Sequence, residues 1–229
     1  MNISLDASLL EKVPTMKIGL IHYTKITVSD SPQMIKGRIQ LYQENLFFEL
    51  QDTPAAERPG IKEWRLLWKK LGADPNRYRH SAESLLRRIA KQQYLTPFHS
   101  AVDINNFFSL QYEIPVGIYD TAHLEGEITL ALGSDETSYD GLNGRSISLK
   151  NIPYSKDSIG AFGSPYVDSV RTAVTEKTTD ALHVFYLRPS MDEAEARQLL
   201  TSSGNMFTQV NGGDYEFAIL SAASPTTSL

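Results

Sequence analysis

The stretch "AVDINNFFSLQYEIPVGIYD" (101–120) decides the fold. Wound as a helix, it sets Asp103, Asn106, Phe107 and Leu110 at i, i+3, i+4 and i+7, on one stripe. Phe107 and Leu110 turn that stripe toward a core, and Asp103 and Asn106 add polar groups to it. The helix must end before Pro115, whose ring removes a backbone donor and clashes with the preceding turn. "PVGIYD" then carries the chain through Gly117 to Asp120. Residues 101–120 are therefore a junction between helical and extended chain.

Upstream of the junction the sequence is mostly helical. "MKIGLIHY" (16–23) alternates as a strand does. Ser31 is placed to cap a following helix, with Pro32 at its first position. Ile35, Ile39, Tyr42 and Leu46 then recur at helical spacing. "ERPGIKEWRLLWKKLGADP" predicts a short helix stopped by Gly72 and Pro75, with Trp64, Trp68 and Leu71 on its core stripe. Ser81 is placed to cap a third helix running to about Gln92.

Downstream the texture is that of strands. "GEITLALG" and "RSISLKN" alternate between turn residues, and "ALHVFYLRP" is an apolar strand ended by Pro189. "DEAEARQLLTSSG" predicts a helix with acids in its first turn, ending at Gly204. "MFTQV" and "YEFAIL" around "NGGD" predict a closing hairpin. "SAASPTTSL" predicts a frayed tail. Helices first and strands later predict an α+β fold, helices packed on a mixed or antiparallel sheet in a single compact domain. Within it, residues 1–59 form an N-terminal strand and helix extension. Residues 60–190 form the central unit, and residues 191–229 complete the fold.

Composition narrows the function classes. The chain has 229 residues, 41% hydrophobic and 21% charged, enough for a substantial core. It contains no cysteine, which rules out disulfides and thiolate chemistry and fits a reducing compartment. The N-terminus lacks the basic and apolar regions of a secretory signal, and no apolar run reaches the roughly 20 residues of a membrane span. A soluble cytoplasmic protein is expected, with no membrane or DNA partner. The net charge of −5 gives no overall basic excess. Nine of the 22 Lys and Arg residues nevertheless fall within residues 62–91, the one plausible electrostatic footprint for RNA. Arg79, Arg87, Arg88 and Lys91 are its candidate contacts.

Nucleotide-loop fingerprints are absent, as is Gly-x-Ser-x-Gly. The histidines at 22, 80, 99, 123 and 183 are scattered without metal-ligand spacing. No metal and no cofactor are expected.

Three blocks, "SAESLLRRIAKQQYLTPFHSAVDINNFFSLQYEIPVGIYD", "LEGEITLALG" and "DSVRTAVTEKTTDALHVFYL", share an order and spacing. An Arg-rich helix precedes a Val-Asp-x-x-Asn helix, a Pro-x-x-x-aromatic-Asp turn, a Gly-x-Ile strand, and a Val-x-x-x-Thr segment that enters a strand. Over roughly residues 60–190 this resembles the tRNA-editing domain of the phenylalanyl-tRNA synthetase beta subunit, here without the rest of the synthetase. The resemblance implies hydrolysis in trans of the ester of mischarged tRNA, or a non-catalytic tRNA- or amino-acid-like ligand-binding module derived from that domain. Synthetase activity itself is not expected.

The resemblance also implies where a site would lie. Asp103 and Asn106 match the Val-Asp-x-x-Asn motif, and Asn106 matches a residue lining the editing pocket. Asn105 stands where synthetases often carry threonine. Pro115, Tyr119 and Asp120 match the turn. Gly117 replaces a histidine common in synthetases, and no acid stands near His183 and Val184 where synthetases place a glutamate.

An aminoacyl ester is activated, so its hydrolysis needs a positioned water, an oxyanion donor and a shaped pocket. Asn106, Gly117 and His183 are the candidate catalytic groups. Asp103, Asn105, Pro115, Tyr119, Asp168, Arg171 and Thr172 are the candidate substrate contacts. Each also has a structural explanation. Asp103 can satisfy backbone amides of its own turn. His183 can be a satisfied core histidine. Arg171 can pair with Asp168 or, across the core, with Asp103.

Overall fold

The computed structural model describes residues Met1–Leu229. Strand β1 (Asn2–Leu5) leads into the short helix α1 (Ala7–Lys12), capped by the Asp6 carboxylate on the Ser8 amide at 2.9 Å. Strand β2 (Ile18–Thr24) precedes helices α2 (Gln33–Asp52), α3 (Pro59–Leu71), α4 (Ser81–Ile89) and α5 (Ser100–Tyr112). The chain then runs through β3 (Val116–Asp120), β4 (Ile128–Leu132), β5 (Ser138–Asp140), β6 (Ser146–Ser148), β7 (Pro153–Lys156), β8 (Ala161–Gly163) and β9 (Ala181–Tyr186). Helix α6 (Glu193–Asn211), β10 (Asp214–Leu220) and β11 (Thr226–Ser228) close it.

The α+β expectation holds. One sheet is antiparallel, in the order β10-β2-β9-β3. A second is mixed, in the order β11-β1-β4-β7-β8, with β1 and β4 parallel. Strands β5 and β6 form a separate ribbon.

The register of the four-stranded sheet fixes its two faces. Side chains of Ile21, His183, Ile118 and Phe217 share one face, because these residues are cross-strand partners. Helices α5 and α6 cover it. Gly117, Tyr119 and Tyr186 belong to the other face, where the Tyr119 ring meets Phe162 of β8 edge-on at 5.0 Å. Strand β9, central and fully buried, has both faces covered. The main core draws on residues from Ile3 to Leu220. A smaller helical core joins Leu46, Leu50, Ala55, Ile61, Ala82, Leu86, Ile89 and Leu110.

Several local expectations are corrected. Ser31 does not cap α2. That helix starts after Pro32 without a side-chain cap, and the Ser31 hydroxyl donates to Asp103 at 2.5 Å. Helix α4 ends at Ile89 and is capped by the His80 ring accepting from the Glu83 amide, not by Ser81. Helix α3 does stop at Gly72, which adopts φ = 92°. Helix α6 passes through Gly204 to Asn211, so "MFTQV" is helical and no hairpin forms. A Cβ at Gly204 would lie 2.6 Å from Cδ2 of Tyr215, so the glycine lets α6 approach β10. The C-terminal "tail" is β11, paired with β1 through Asn2–Ser228, Ile3–Thr227 and Ser4–Thr226.

Candidate functional site

The groove beside α4 gathers the cations of the basic segment. It encloses about 490 Å³, and Arg79, Arg87, Arg88 and Lys91 line it together with Ser84 and Gln93. Leu50, Ala55 and Ala90 supply apolar walls, and no acidic residue lines the groove. The sequence explains the arrangement. Leu86 and Ile89 bury one face of α4 in the helical core, which turns Arg88 outward. Arg87 is held by the buried Glu83 at 2.8 Å, four residues earlier. Glu83 also takes Arg65 from α3 at 2.9 Å, so one buried carboxylate fixes two cations. Arg79, Arg88 and Lys91 are exposed and carry no intramolecular ion pair. A second, shallower depression continues past Ala56 to Lys62, Arg65 and Lys69.

The remaining candidates divide between the two faces of the four-stranded sheet. On the helix-covered face, a directional chain of hydrogen bonds leads outward from the core. The Tyr23 hydroxyl lies 3.2 Å from His183 Nδ1, and His183 Nε2 lies 3.2 Å from Asn105 Oδ1. Burial lowers the His183 pKa to about 3, so the ring is neutral. Nε2–H then donates to Asn105, leaving Nδ1 to accept from Tyr23. Asn105 Nδ2 in turn faces Asn106 Oδ1 at 3.4 Å, and Asn106 ends the chain half-buried on α5.

On the opposite face, between the sheets, the Tyr119 hydroxyl donates to Asp168 Oδ1 at 2.7 Å. Burial raises the Asp168 pKa to about 7, against the pull of that hydrogen bond. Tyr139 donates to Ser164 at 2.8 Å close by. The Tyr186 hydroxyl and the Ser155 hydroxyl lie buried without hydrogen-bond partners. Gly117 belongs to this group. A Cβ there would come within 2.8 Å of Tyr119 Cζ and 3.2 Å of Asp168 Oδ1. Gly163 presses the same ring from β8, at 2.6 Å from Cε1 for its own absent Cβ.

The structure thus brings Asn105, Asn106 and His183 together, and Gly117, Tyr119 and Asp168 together, with β3 and β9 between the two groups. The other candidates are engaged elsewhere. Asp103 accepts from Ser31 and from the Phe98 amide at 3.0 Å, tying the start of α5 to the chain before α2. Arg171 pairs with neither Asp168 nor Asp103. It grips Asp157 through two bonds of 2.9 and 3.0 Å and donates to the His123 carbonyl at 2.7 Å. Burial works against the Asp157 charge, yet Arg171 and nearby amides hold its pKa below the usual carboxylate value. The Thr172 carbonyl accepts from the Asp120 amide at 2.9 Å, and the Pro115 carbonyl accepts from the Tyr186 amide at 3.0 Å. Tyr23, Ser155 and Tyr186 were not singled out by the sequence, because single hydroxyls in apolar strands carry no local pattern. Among His, Asp and Glu, no three side chains cluster as metal ligands.

Residues 63–212 match the B3/4 domain, and the chain belongs to that family. It is 33% identical over 216 residues to the uncharacterized protein YhzB of Bacillus subtilis (strain 168), covering 94% of this chain and 97% of that protein. It is 29% identical over 128 residues to the phenylalanine–tRNA ligase beta subunit of Paramagnetospirillum magneticum (strain ATCC 700264 / AMB-1), covering 55% of this chain and 16% of that subunit. An N-terminal fragment of the phenylalanyl-tRNA synthetase beta subunit from Pyrococcus horikoshii aligns over 93% of this chain and 49% of its own, with 12% identity and a TM-score of 0.44. No helix is long and apolar enough to cross a membrane.

Proposed function

We propose that the protein binds tRNA through the groove beside α4, as a relative of the synthetase editing module. One observation carries this: four cations converge on a concave surface with no acid among its lining residues. Phosphates in such a groove release counterions, so affinity should fall steeply with salt. Ser84 and Gln93 add hydrogen-bonding groups beside the charges. The B3/4 relationship and the similarity to a phenylalanine–tRNA ligase subunit agree with tRNA as the nucleic acid. The test is tRNA binding at several salt concentrations for the wild type and for Arg79→Glu with Arg88→Glu. Affinity should drop at least about tenfold, and the slope of log K against log salt should flatten by about one for each phosphate no longer neutralised. Equal affinity and slope in the folded variant would refute the groove.

A second function, hydrolysis of an aminoacyl ester on the bound tRNA, is favoured by Asp168. Burial raises its carboxyl to about 7, so it exchanges a proton near neutral pH, and the Tyr119 hydroxyl at 2.7 Å holds it in place. Incubation with a panel of mischarged tRNAs measures it as released amino acid. Asp168→Asn should abolish any release that exceeds the spontaneous rate; loss in folded Asn106→Ala with Asp168→Asn unaffected would instead place the chemistry on the α5-covered face. If no tRNA is deacylated faster than spontaneously, only the binding function stands.

A further inference from the structure

Helix α2 is well anchored on one side and bare on the other. Ile35, Ile39, Gln43, Leu46 and Leu50 are buried. On the opposite side Met34, Leu41 and Phe48 are 64%, 60% and 68% exposed, three of the eight large apolar side chains the protein leaves in solvent. They recur every seven residues, which keeps them on one stripe. Gly37 and Asn45 lie between them on the same stripe, and a Cβ at Gly37 would touch nothing within 4 Å.

The stripe is symmetric about Leu41. Met34 precedes it, and Phe48 follows it, by the same seven residues. A two-fold axis at Leu41 would stack Leu41 on Leu41 of a second copy, Met34 on Phe48, and Asn45 over the bare Gly37. Thioether–aromatic contact is favourable, and a glycine lets helices approach closely. Charge points to the same direction of pairing. Lys36 is neutralised by Asp30 at 2.6 Å and Glu49 by Arg58 at 3.0 Å. Arg38 in the first half of α2 lies 4.9 Å over the Phe107 ring, and Glu44 in the second accepts from Gln40 at 3.1 Å, but neither they nor Asp52 have an ion pair within the chain. Antiparallel pairing brings Arg38 level with Glu44 of the second copy on both sides of the axis. Parallel pairing would set like charges together. Antiparallel pairing also opposes the two helix dipoles favourably.

We propose that α2 is the interface of a two-fold dimer, two copies of this chain pairing antiparallel about Leu41. The contact is isologous, and its area is at the small end for specific interfaces, so association should depend visibly on concentration. Met34, Leu41 and Phe48 do not line the groove beside α4.

The absence of cysteine allows a direct test on the full chain. Sedimentation equilibrium should show a monomer–dimer equilibrium that Leu41→Glu abolishes. Because position 41 is exposed, that variant should melt like the wild type. Under mild oxidation Leu41→Cys should cross-link to itself. Met34→Cys should not, since its two copies would lie about 21 Å apart, beyond the roughly 7 Å a disulfide spans. A mixture of Met34→Cys and Phe48→Cys should cross-link as a heterodimer. A monomer at every concentration, a dimer indifferent to Leu41→Glu, or self-linking of Met34→Cys would each overturn the proposal.

Discussion

Asp168 holds its proton to about pH 7, whereas the same carboxyl in an unfolded chain loses it near 3.8. Between those values the folded protein binds more protons at this position than the unfolded one, so this residue's contribution to stability falls as pH rises. Asp168→Asn keeps an oxygen for Tyr119 and removes the titration. Urea midpoints from pH 4 to 8 should therefore show the variant gaining on the wild type with rising pH and levelling off above about 7. A constant difference would mean the carboxyl is not protonated in the fold. His80 and His183 act in the opposite sense. Burial lowers each from 6.5 to about 3, with Arg65 adding to the effect at His80. Stability they confer above pH 6.5 is lost as pH falls toward 3. Two histidines oppose one carboxyl, so acid should destabilise the protein overall. At this scale the residue types were legible but their partners were not. Ser31 is a plausible cap by position, and only the packing of α5 against the chain before α2 makes Asp103 its partner. Arg171 finds Asp157 because β7 and β8 curl it back toward 171, which no local spacing encodes.

Elements were readable where one rule governs them and misread where two compete. Helix α3 follows its apolar stripe and stops at Gly72, since no packing demand opposes the stop signal. In α6 the glycine signal is the same but its cause differs, because Gly204 makes room for Tyr215. Gly204→Ala should gain about 1 kcal/mol in helix propensity and lose about 1–3 kcal/mol to overpacking. Net destabilisation should vanish in a Tyr215→Ala background, as a double-mutant cycle by thermal melting would show. Strand β11 escaped notice because it is short, polar and stable only against β1. Deleting residues 226–229 removes three cross-strand pairs. That should cost roughly 1–3 kcal/mol and expose the β1 edge to self-association, measurable by denaturation and light scattering.

The whole molecule sets a local basic surface on a chain of net charge −5. The basic segment was legible as composition, and its concave form was not, since it needs α2 to supply Leu50 from a distant part of the sequence. The division of the other candidates was half-legible. Alternation along β3 separates Gly117 and Tyr119 from Ile118, but only the placement of α5 shows which face Asn106 overlooks. The Tyr119 ring lies between Gly117 of one sheet and Gly163 of the other, and it sets how near the two sheets come. A side chain at 117 and a phenolic ring in this pose therefore compete for one volume. Across relatives the two positions should change together. Where 117 bears a histidine, the ring at 119 should lose its hydroxyl or swing aside, and the acid at 168 should lose its phenolic partner.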